Sequence, residues 1–161
     1  MSRAMVERRR AVRVVLLDPD GRVLLLRGAD PAVPGTEWWI TPGGGIEPGE
    51  SPIGAARREL AEEVGLVGVE WGPLIAYGTV QFSFRGRDYE QEQWFHLARI
   101  GRAEVALAEG AADDEHALLL GARWWTADEL GRTGETVHPR ELGALVGRVL
   151  TEGPPEPPVR L

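Results

Sequence analysis

The chain contains no cysteine among its 161 residues, and it has only three histidines. The absence of cysteine excludes disulfides, thiolate chemistry and zinc sites of the cysteine type. The histidines, His96, His116 and His138, are scattered along the sequence. We interpret each of them as an ordinary surface or partly buried residue rather than a metal ligand. Carboxylates are therefore the residue type left to examine for a metal site.

Long apolar runs are also missing. The longest aliphatic runs, residues 14–17 and 23–26, are far shorter than the ~20 residues of a membrane-spanning helix. The basic N-terminal segment is not followed by the apolar stretch of a secretory signal. A formal net charge of −7 argues against an extended contact with duplex nucleic acid, which needs clustered lysine and arginine. We expect a cytoplasmic protein that binds neither a membrane nor duplex nucleic acid.

A helix with two marked ends follows a glycine-rich loop. Ser51 is a good N-cap, Pro52 suits the first helical position, and Gly65 can adopt the left-handed conformation that ends a helix. At about 100° per residue, one side of this helix carries an apolar stripe made of Ile53, Ala56, Leu60 and Val64. An adjacent arc carries Glu59, Glu62 and Glu63. The sequence thus predicts a helix with a core face and an acidic face.

The three carboxylates of the acidic face repel one another, by roughly 0.2–0.5 kcal/mol for each like-charged helical pair. Arg58 lies four residues before Glu62 and relieves part of this repulsion, whereas Glu59 and Glu63 have no cation at matching spacing. A divalent ion is a natural partner, and hard oxygen ligands suit Mg²⁺ or Mn²⁺. The pattern predicts a metal site; the alternative is a solvated acidic helix that binds nothing.

The same segment resembles the signature motif of the Nudix hydrolases, G-x5-E-x7-R-E-U-x-E-E-x-G-U, in which U is a bulky aliphatic residue. All of its constrained positions are matched, by Gly44, Glu50, Arg58, Glu59, Leu60, Glu62, Glu63, Gly65 and Leu66. The resemblance implies a metal-dependent hydrolase that cleaves the pyrophosphate bond of a nucleoside diphosphate linked to another moiety. It also implies that water attacks at phosphorus.

The resemblance assigns roles to individual residues of the motif. Glu59, Glu62 and Glu63 match the metal-binding positions of the family, and a backbone carbonyl of the preceding glycine turn is a candidate further ligand. Glu50 and Arg58 match positions that orient the loop and the catalytic helix. For Arg58, an ordinary surface ion pair with Glu62 is the alternative.

Substrate contacts are expected beside the motif. Gly43 and Gly44 lack a Cβ atom, which lets the backbone approach the metal and the phosphates closely. Arg27 occupies a place where the family often carries a basic residue near the site. It is either a phosphate contact or a plain charge at the end of a strand.

The general base is expected from one of two places, because family members differ in where they carry it. Glu115 is the first candidate, since it lies in a late acidic loop shortly before the predicted strand that bears Trp124. A solvated acidic loop without a catalytic role is the alternative for this segment. Glu63 is then the second candidate for the base.

The order of predicted elements indicates the fold. Residues 11–18 and 22–27 predict a hairpin around a Pro-Asp-Gly turn, and further strands are predicted at 38–41, 74–84, 89–100 and 121–125. Besides the acidic helix, helices are predicted from a capping box at Thr126 and over residues 139–151. Residues 101–116 predict a mobile loop or a frayed helix. This mixture favours an α/β or α+β fold, and the resemblance implies an α/β/α sandwich with a mixed β-sheet.

One domain is expected over residues 1–152, since a chain of this length suits a single core. The remaining tail, residues 153–161, contains four prolines and little to bury, and we predict that it is disordered. A homodimer is implied by the resemblance alone.

Residues outside the motif select no particular nucleoside or leaving group, so two other functions stay open. One is a nucleotide-binding sensor without hydrolysis, against which the intact acidic set argues. The other is a hydrolase or isomerase of non-nucleoside diphosphates. Isomerase chemistry needs an added acid–base pair, often with cysteine, and cysteine is absent here.

Overall fold

A computed structural model describes residues 5–109, 113–114 and 119–161 of the chain. Within these residues the chain forms ten strands and four helices. The strands are β1 (Val6–Leu17), β2 (Val23–Ala29), β3 (Glu37–Ile40), β4 (Gly43–Gly45), β5 (Glu70–Phe84), β6 (Arg87–Arg99), β7 (Asp113–Asp114), β8 (Leu119–Trp125), β9 (Val137–His138) and β10 (Val159–Arg160). The helices are α1 (Pro52–Val64), α2 (Arg102–Ala108), α3 (Ala127–Arg132) and α4 (Leu142–Glu152).

The strands form one mixed sheet in which β1 is central. The main strand order is β10-β5-β6-β1-β2-β3-β9, while β8 pairs with β2 and β7 with β8. Along one edge β1 pairs in parallel with β6. Along the other edge it meets β2 where Leu17 faces Val23, and it pairs in antiparallel fashion with β4, where Arg13 faces Gly43. The glycine-rich strand β4 is therefore attached to the middle of the sheet.

Apolar clusters cover both faces of this sheet. Alternate residues of β1 and β2 supply each cluster, which explains why the sequence of these strands is almost continuously aliphatic. Val12, Val14 and Leu16 pack with α1 and α2, whereas Val15 and Leu17 pack with α4. The expected α/β/α sandwich with a mixed sheet is confirmed. No helix in the described part of the chain is long and apolar enough to cross a membrane.

The predicted ends of helix α1 are confirmed. The Gly54 N–H donates to the Ser51 hydroxyl at 3.0 Å, and Gly65 adopts φ of 71° while its N–H donates to the Ala61 carbonyl at 3.0 Å. Ala56, Leu60 and Val64 are buried, with Ile53 half-buried beside them. Because this stripe faces the sheet, the adjacent Glu59 and Glu63 are directed toward β4.

The prediction of a disordered tail differs from the structure. β10 pairs in parallel with β5, with Val159 opposite Ala76, and the Leu161 N–H donates to the Tyr77 carbonyl at 2.9 Å. Val159 and Leu161 also pack against the apolar cluster of α4. The physical reason is non-local: the tail supplies a partner for the edge of β5, and its composition alone does not reveal that edge.

Two further segments differ in detail from their predictions. The last helix begins at Leu142 rather than at residue 139, because the Pro139 carbonyl accepts the Leu142 N–H at 3.1 Å in a preceding turn. The segment predicted as a mobile loop or frayed helix contains α2, whose Val105 carbonyl accepts the Trp124 indole N–H at 3.3 Å. Residues 110–112 and 115–118 lie outside the described residues.

Candidate active site

Arg58 joins helix α1 to the glycine-rich loop. Its Nε and Nη2 atoms donate to the two carboxylate oxygens of Glu50, each at 2.9 Å, and Nη2 also donates to the Gly45 carbonyl at 3.0 Å. These hydrogen bonds lower the pKa of Glu50 to about 2 and raise the pKa of Arg58 above its usual value. This is the geometry that an orienting role for Glu50 and Arg58 requires.

Glu59 is held between Arg58 and strand β4. Its Oε1 atom accepts from Arg58 Nη1 at 3.0 Å. A Cβ atom placed on Gly44 would lie 2.5 Å from the same oxygen, so the carboxylate packs directly against the glycine backbone. Burial raises the pKa of Glu59, and the hydrogen bond from Arg58 opposes this shift. A carboxylate in such surroundings is stabilised by any cation brought close to it.

Glu63 contacts the neighbouring glycine. Its side chain is buried, and Oε1 accepts the Gly43 N–H at 2.9 Å. Gly43 has φ of 141°, and a Cβ atom there would lie 2.1 Å from the Val12 carbonyl oxygen. Only glycine fits this position, because a side chain would collide with strand β1. Glu59 and Glu63 thus contact two consecutive glycines, Gly44 and Gly43 respectively.

Glu62 is more exposed than this pair and lies near the same arginine nitrogen as Glu59. Its side chain is 59% exposed, and Oε2 lies 3.7 Å from Arg58 Nη1. Within the described residues, no three metal-binding side chains already form a cluster. Glu59 and Glu63 nevertheless fit a divalent ion, since they supply hard oxygen donors beside backbone that carries no Cβ. The role of Glu62 as a third metal ligand stays a prediction.

Arg13 is a site residue that the sequence analysis missed. It lies opposite Gly43 in the pairing of β1 with β4, and its Nη1 atom donates to the Thr41 carbonyl at 2.9 Å. Burial lowers its pKa, while the negative charges of Glu63 and Glu59 raise it. A signal was present, because an arginine inside an aliphatic strand is rarely buried without a partner.

The His138 ring, which the charge of Arg13 affects, belongs to a small group of aromatic rings. The Trp38 ring meets Phe84 edge-on and His138 at a tilt, with centroid distances of 6.3 Å in both cases. Burial lowers the pKa of His138, and the charge of Arg13 lowers it further. Trp38 of β3 thus contacts a ring near the tip of the β5–β6 hairpin and a ring of β9.

No contact in the described part of the chain brings Arg27 to the carboxylates. Arg27 donates through Nε to Glu37 Oε2 at 2.9 Å, with a second contact from Nη2, and its Cζ lies 5.9 Å from the Trp39 ring centroid. The role of Arg27 as a phosphate contact or as a plain charge of the strand stays open. Glu115 lies outside the described residues, so its role as a base stays a prediction.

Comparison with known families agrees with this geometry. Residues 7–145 match the profile of the NUDIX domain, which extends well beyond the motif to most of the sheet and helices. The chain belongs to the Nudix family. Membership of the family makes it a pyrophosphohydrolase. Nudix hydrolases generally need a divalent metal and act on small nucleotide derivatives.

Individual Nudix proteins are similar over most of this chain. An RNA pyrophosphohydrolase of Caulobacter vibrioides is 36% identical over 142 residues, covering 82% of this chain and 78% of the relative. Nudix hydrolase 25 of Arabidopsis thaliana is 35% identical over 121 residues, covering 66% of this chain and 67% of that protein. The structure of a MutT protein from Methanosarcina mazei matches with a TM-score of 0.60 at 18% identity, covering 91% and 95% of the two chains. This structural likeness supports the fold.

Proposed function

We propose that this Nudix enzyme hydrolyses the pyrophosphate bond of a nucleoside diphosphate linked to another moiety, and that Glu59, Glu62 and Glu63 hold Mg²⁺ or Mn²⁺. When bound, the ion neutralises phosphate charge and acidifies water. Water attacks phosphorus, the bond from that phosphorus to the bridging oxygen breaks, and two phosphorylated products leave. The observation that carries the proposal is the placement of Glu59 and Glu63 against two glycines without Cβ atoms.

Other residues of the chain position the carboxylates, admit the phosphates and accept a proton. Arg58 and Glu50 keep the glycine-rich loop against the helix, which maintains the position of the carboxylates. The backbone of Gly43 and Gly44 allows phosphate oxygens to come close, and a carbonyl of this turn is a further candidate ligand. Glu115, or Glu63 in its place, accepts the proton of the attacking water.

Replacing Glu63 by glutamine tests the metal site. Glutamine keeps the shape of the side chain and an oxygen for the Gly43 N–H, so the fold should be retained. We expect Mg²⁺-dependent hydrolysis to fall by roughly 10²–10⁴-fold, the range for loss of a catalytic carboxylate. Phosphate release is measured on a panel of nucleoside diphosphate derivatives with Mg²⁺ and with Mn²⁺. Glu70→Gln, at an exposed strand position, is the matched control and should keep wild-type turnover. Near wild-type turnover by Glu63→Gln would show that α1 takes no part in the mechanism.

The same panel separates the two candidate bases. If Glu115 is the base, Glu115→Gln lowers turnover at saturating substrate. A loss confined to substrate affinity rules Glu115 out and leaves Glu63 as the candidate. Tight binding of a nucleotide derivative by the wild-type protein with no turnover would instead favour the sensor function.

The phosphorylated 5′ end of RNA is a second candidate substrate. The similarity to proteins named RNA pyrophosphohydrolase spans most of this chain and favours it. Because a phosphoanhydride bond in RNA occurs at a polyphosphorylated 5′ end, the reaction would release pyrophosphate from a 5′-triphosphate. Short single-stranded RNA with a 5′-triphosphate, assayed beside the nucleotide panel, tests this candidate. A higher kcat/KM for the nucleotides counts against it.

The homodimer and the cytoplasmic location stay predictions.

A further inference from the structure

The outer edge of strand β5 is covered along only part of its length. β10 pairs with this edge as far as Tyr77, whose carbonyl accepts the Leu161 N–H at 2.9 Å. Alternate residues of a strand direct their backbone N–H and C=O groups to the same edge. The pairing of β5 with β6 has no register shift beyond Tyr77. The backbone groups of Thr79, Gln81 and Ser83 therefore also point outward, and no strand in the described part of the chain pairs with them.

The open part of this edge is symmetric about Gln81. Four residues before Gln81, the Tyr77 carbonyl is bonded to the tail. Four residues after it, the Arg85 N–H donates to Asp30 Oδ1 at 3.1 Å, in the turn that follows the end of β5. The edge thus stops at the same distance on either side of Gln81 and offers the outward groups of three residues between these limits.

This edge lacks the features that usually prevent strands from associating. Folded proteins protect exposed edges with charged side chains, prolines or bulges. Residues 71–84 contain no charged side chain, and the proline and the register shifts of β5 all lie before Tyr77. The side chain of Val80 is 37% exposed on the open part. The edge is therefore suited to pair with a further strand.

The order of side chains along the open part is the same in both directions. Residues 79–83 are a hydroxyl residue, an apolar residue, an amide, an apolar residue and a hydroxyl residue. In an antiparallel pair of two copies about a two-fold axis, Gln81 would lie opposite Gln81 of the second copy, and Thr79 opposite Ser83. We propose that this edge joins two copies of the chain in that register. Each of the three outward pairs exchanges two hydrogen bonds, about six in all.

The side chains fit this register on both faces of the joined sheet. Phe82 stacks on Tyr89 with ring centroids 5.2 Å apart, and Val80 lies on the same face of β5, since the two residues are two positions apart. Val80 of each copy would lie opposite Phe82 of the other, a favourable cross-strand combination. The other face would pair hydroxyls and amides with one another. A second copy supplies this matching order by symmetry.

Net charge makes the proposed dimer dependent on salt. Each copy has a formal net charge of −7, and Asp88, Glu90 and Glu92 lie on β6 beside the open part of β5. The resulting repulsion between copies is screened by salt. One pair of strands also buries less surface than a standard interface of about 1,600 Å². We therefore expect a weak dimer whose population rises with protein concentration and with ionic strength.

A single introduced cysteine tests the position of the axis. The chain contains no cysteine, so a disulfide in such a variant must join two copies. Directly opposed residues of the hydrogen-bonded type have Cα atoms about 5.5 Å apart, a distance that a disulfide bridges. Gln81→Cys oxidised with diamide should therefore form a linked dimer. Thr79→Cys is the matched control and should not, because residue 79 faces residue 83, whereas a mixture of Thr79→Cys with Ser83→Cys should link. Equal linking of Gln81→Cys and Thr79→Cys, or none by Gln81→Cys, overturns the register.

Sedimentation equilibrium measures the dimer without a covalent link. Between about 10 and about 500 µM protein, a range suited to a small interface, the apparent mass of the wild type should rise from that of a monomer toward that of a dimer. Val80→Lys should raise the dissociation constant at least about tenfold, because it brings two like charges close to the axis and removes the contact with Phe82. Val67→Lys, at a valine that is 86% exposed outside β5, is the matched control and should leave the constant unchanged.

Two sedimentation results would overturn the proposal. A wild-type protein that stays monomeric over the whole range would leave this edge to a strand of another protein. A dimer that Val80→Lys does not weaken would show that the copies associate through a different surface. Neither measurement uses a substrate, so both are independent of the proposed reaction.

Discussion

Replacing Gly44 by alanine should damage the metal site and spare the fold. The added Cβ atom would lie 2.5 Å from Oε1 and 2.6 Å from Cδ of Glu59. Ordinary contacts between such atoms are about 3.5 Å or longer, so the carboxylate has to move by about 1 Å. The movement falls on one of the proposed metal ligands.

The expected cost to folding is small. The clashing atoms belong to the end of a flexible side chain, and Gly44 does not have the positive φ that would exclude alanine. We expect the free energy of unfolding to change by less than about 1 kcal/mol. A displacement of 1 Å at a catalytic group, in contrast, lowers activity by roughly 100-fold. The variant should therefore lose activity far more than stability.

The assay uses two measurements on Gly44→Ala and on two comparison variants at other glycines. Hydrolysis is measured across a Mg²⁺ titration, and stability is measured by urea unfolding. Gly68→Ala is the matched control, because a Cβ atom at that position meets nothing within 4 Å. Gly43→Ala is the opposite case: its Cβ would lie 2.1 Å from the Val12 backbone oxygen, so this variant should be strongly destabilised.

Either of two results would refute the reasoning. Wild-type kcat/KM and an unchanged Mg²⁺ requirement in Gly44→Ala would show that the position of Glu59 does not matter for catalysis. A loss of stability as large as that of Gly43→Ala would show that the substitution acts through the fold.

Two further predictions concern stability. Arg58→Met removes the bonds to Glu50, and we expect urea denaturation at neutral pH to show a lower free energy of unfolding than that of the wild type. Because the pKa of Glu50 falls from 4.5 to about 2, this stabilisation is present above pH 4.5 and is lost as the pH falls toward 2. The difference in stability between the variant and the wild type should therefore become smaller in acid, while the part due to the bond from Arg58 to the Gly45 carbonyl stays. A difference that does not change with pH would contradict the assignment. Deleting residues 159–161 removes β10 and the packing of Val159. Thermal unfolding should then show that the free energy of unfolding is lower by about 1–2 kcal/mol. An unchanged midpoint would mean that the tail does not stabilise the sheet.

Local chemistry made much of this site predictable from the sequence. The cap at Ser51, the left-handed end at Gly65 and the spacing of the three glutamates are set by residues within one helix and its flanks. The same holds for the turn that joins β1 to β2 and for the capping box at Thr126, since both depend on contacts between residues a few positions apart. The matched motif added the reaction class, because its constrained positions lie within 23 consecutive residues.

Tertiary structure decided what depends on contacts between distant segments. Pairing of β1 with β4 brings Arg13 to Gly43, thirty positions along the chain, and no local pattern connects the two residues. The tail is ordered because it pairs with the edge of β5. Glu62 faces solvent while Glu59 and Glu63 face β4, because helix α1 packs on the sheet in one orientation. The sequence by itself thus determined the helix, its acidic residues and the family, whereas strand pairing and packing determined which charges surround them.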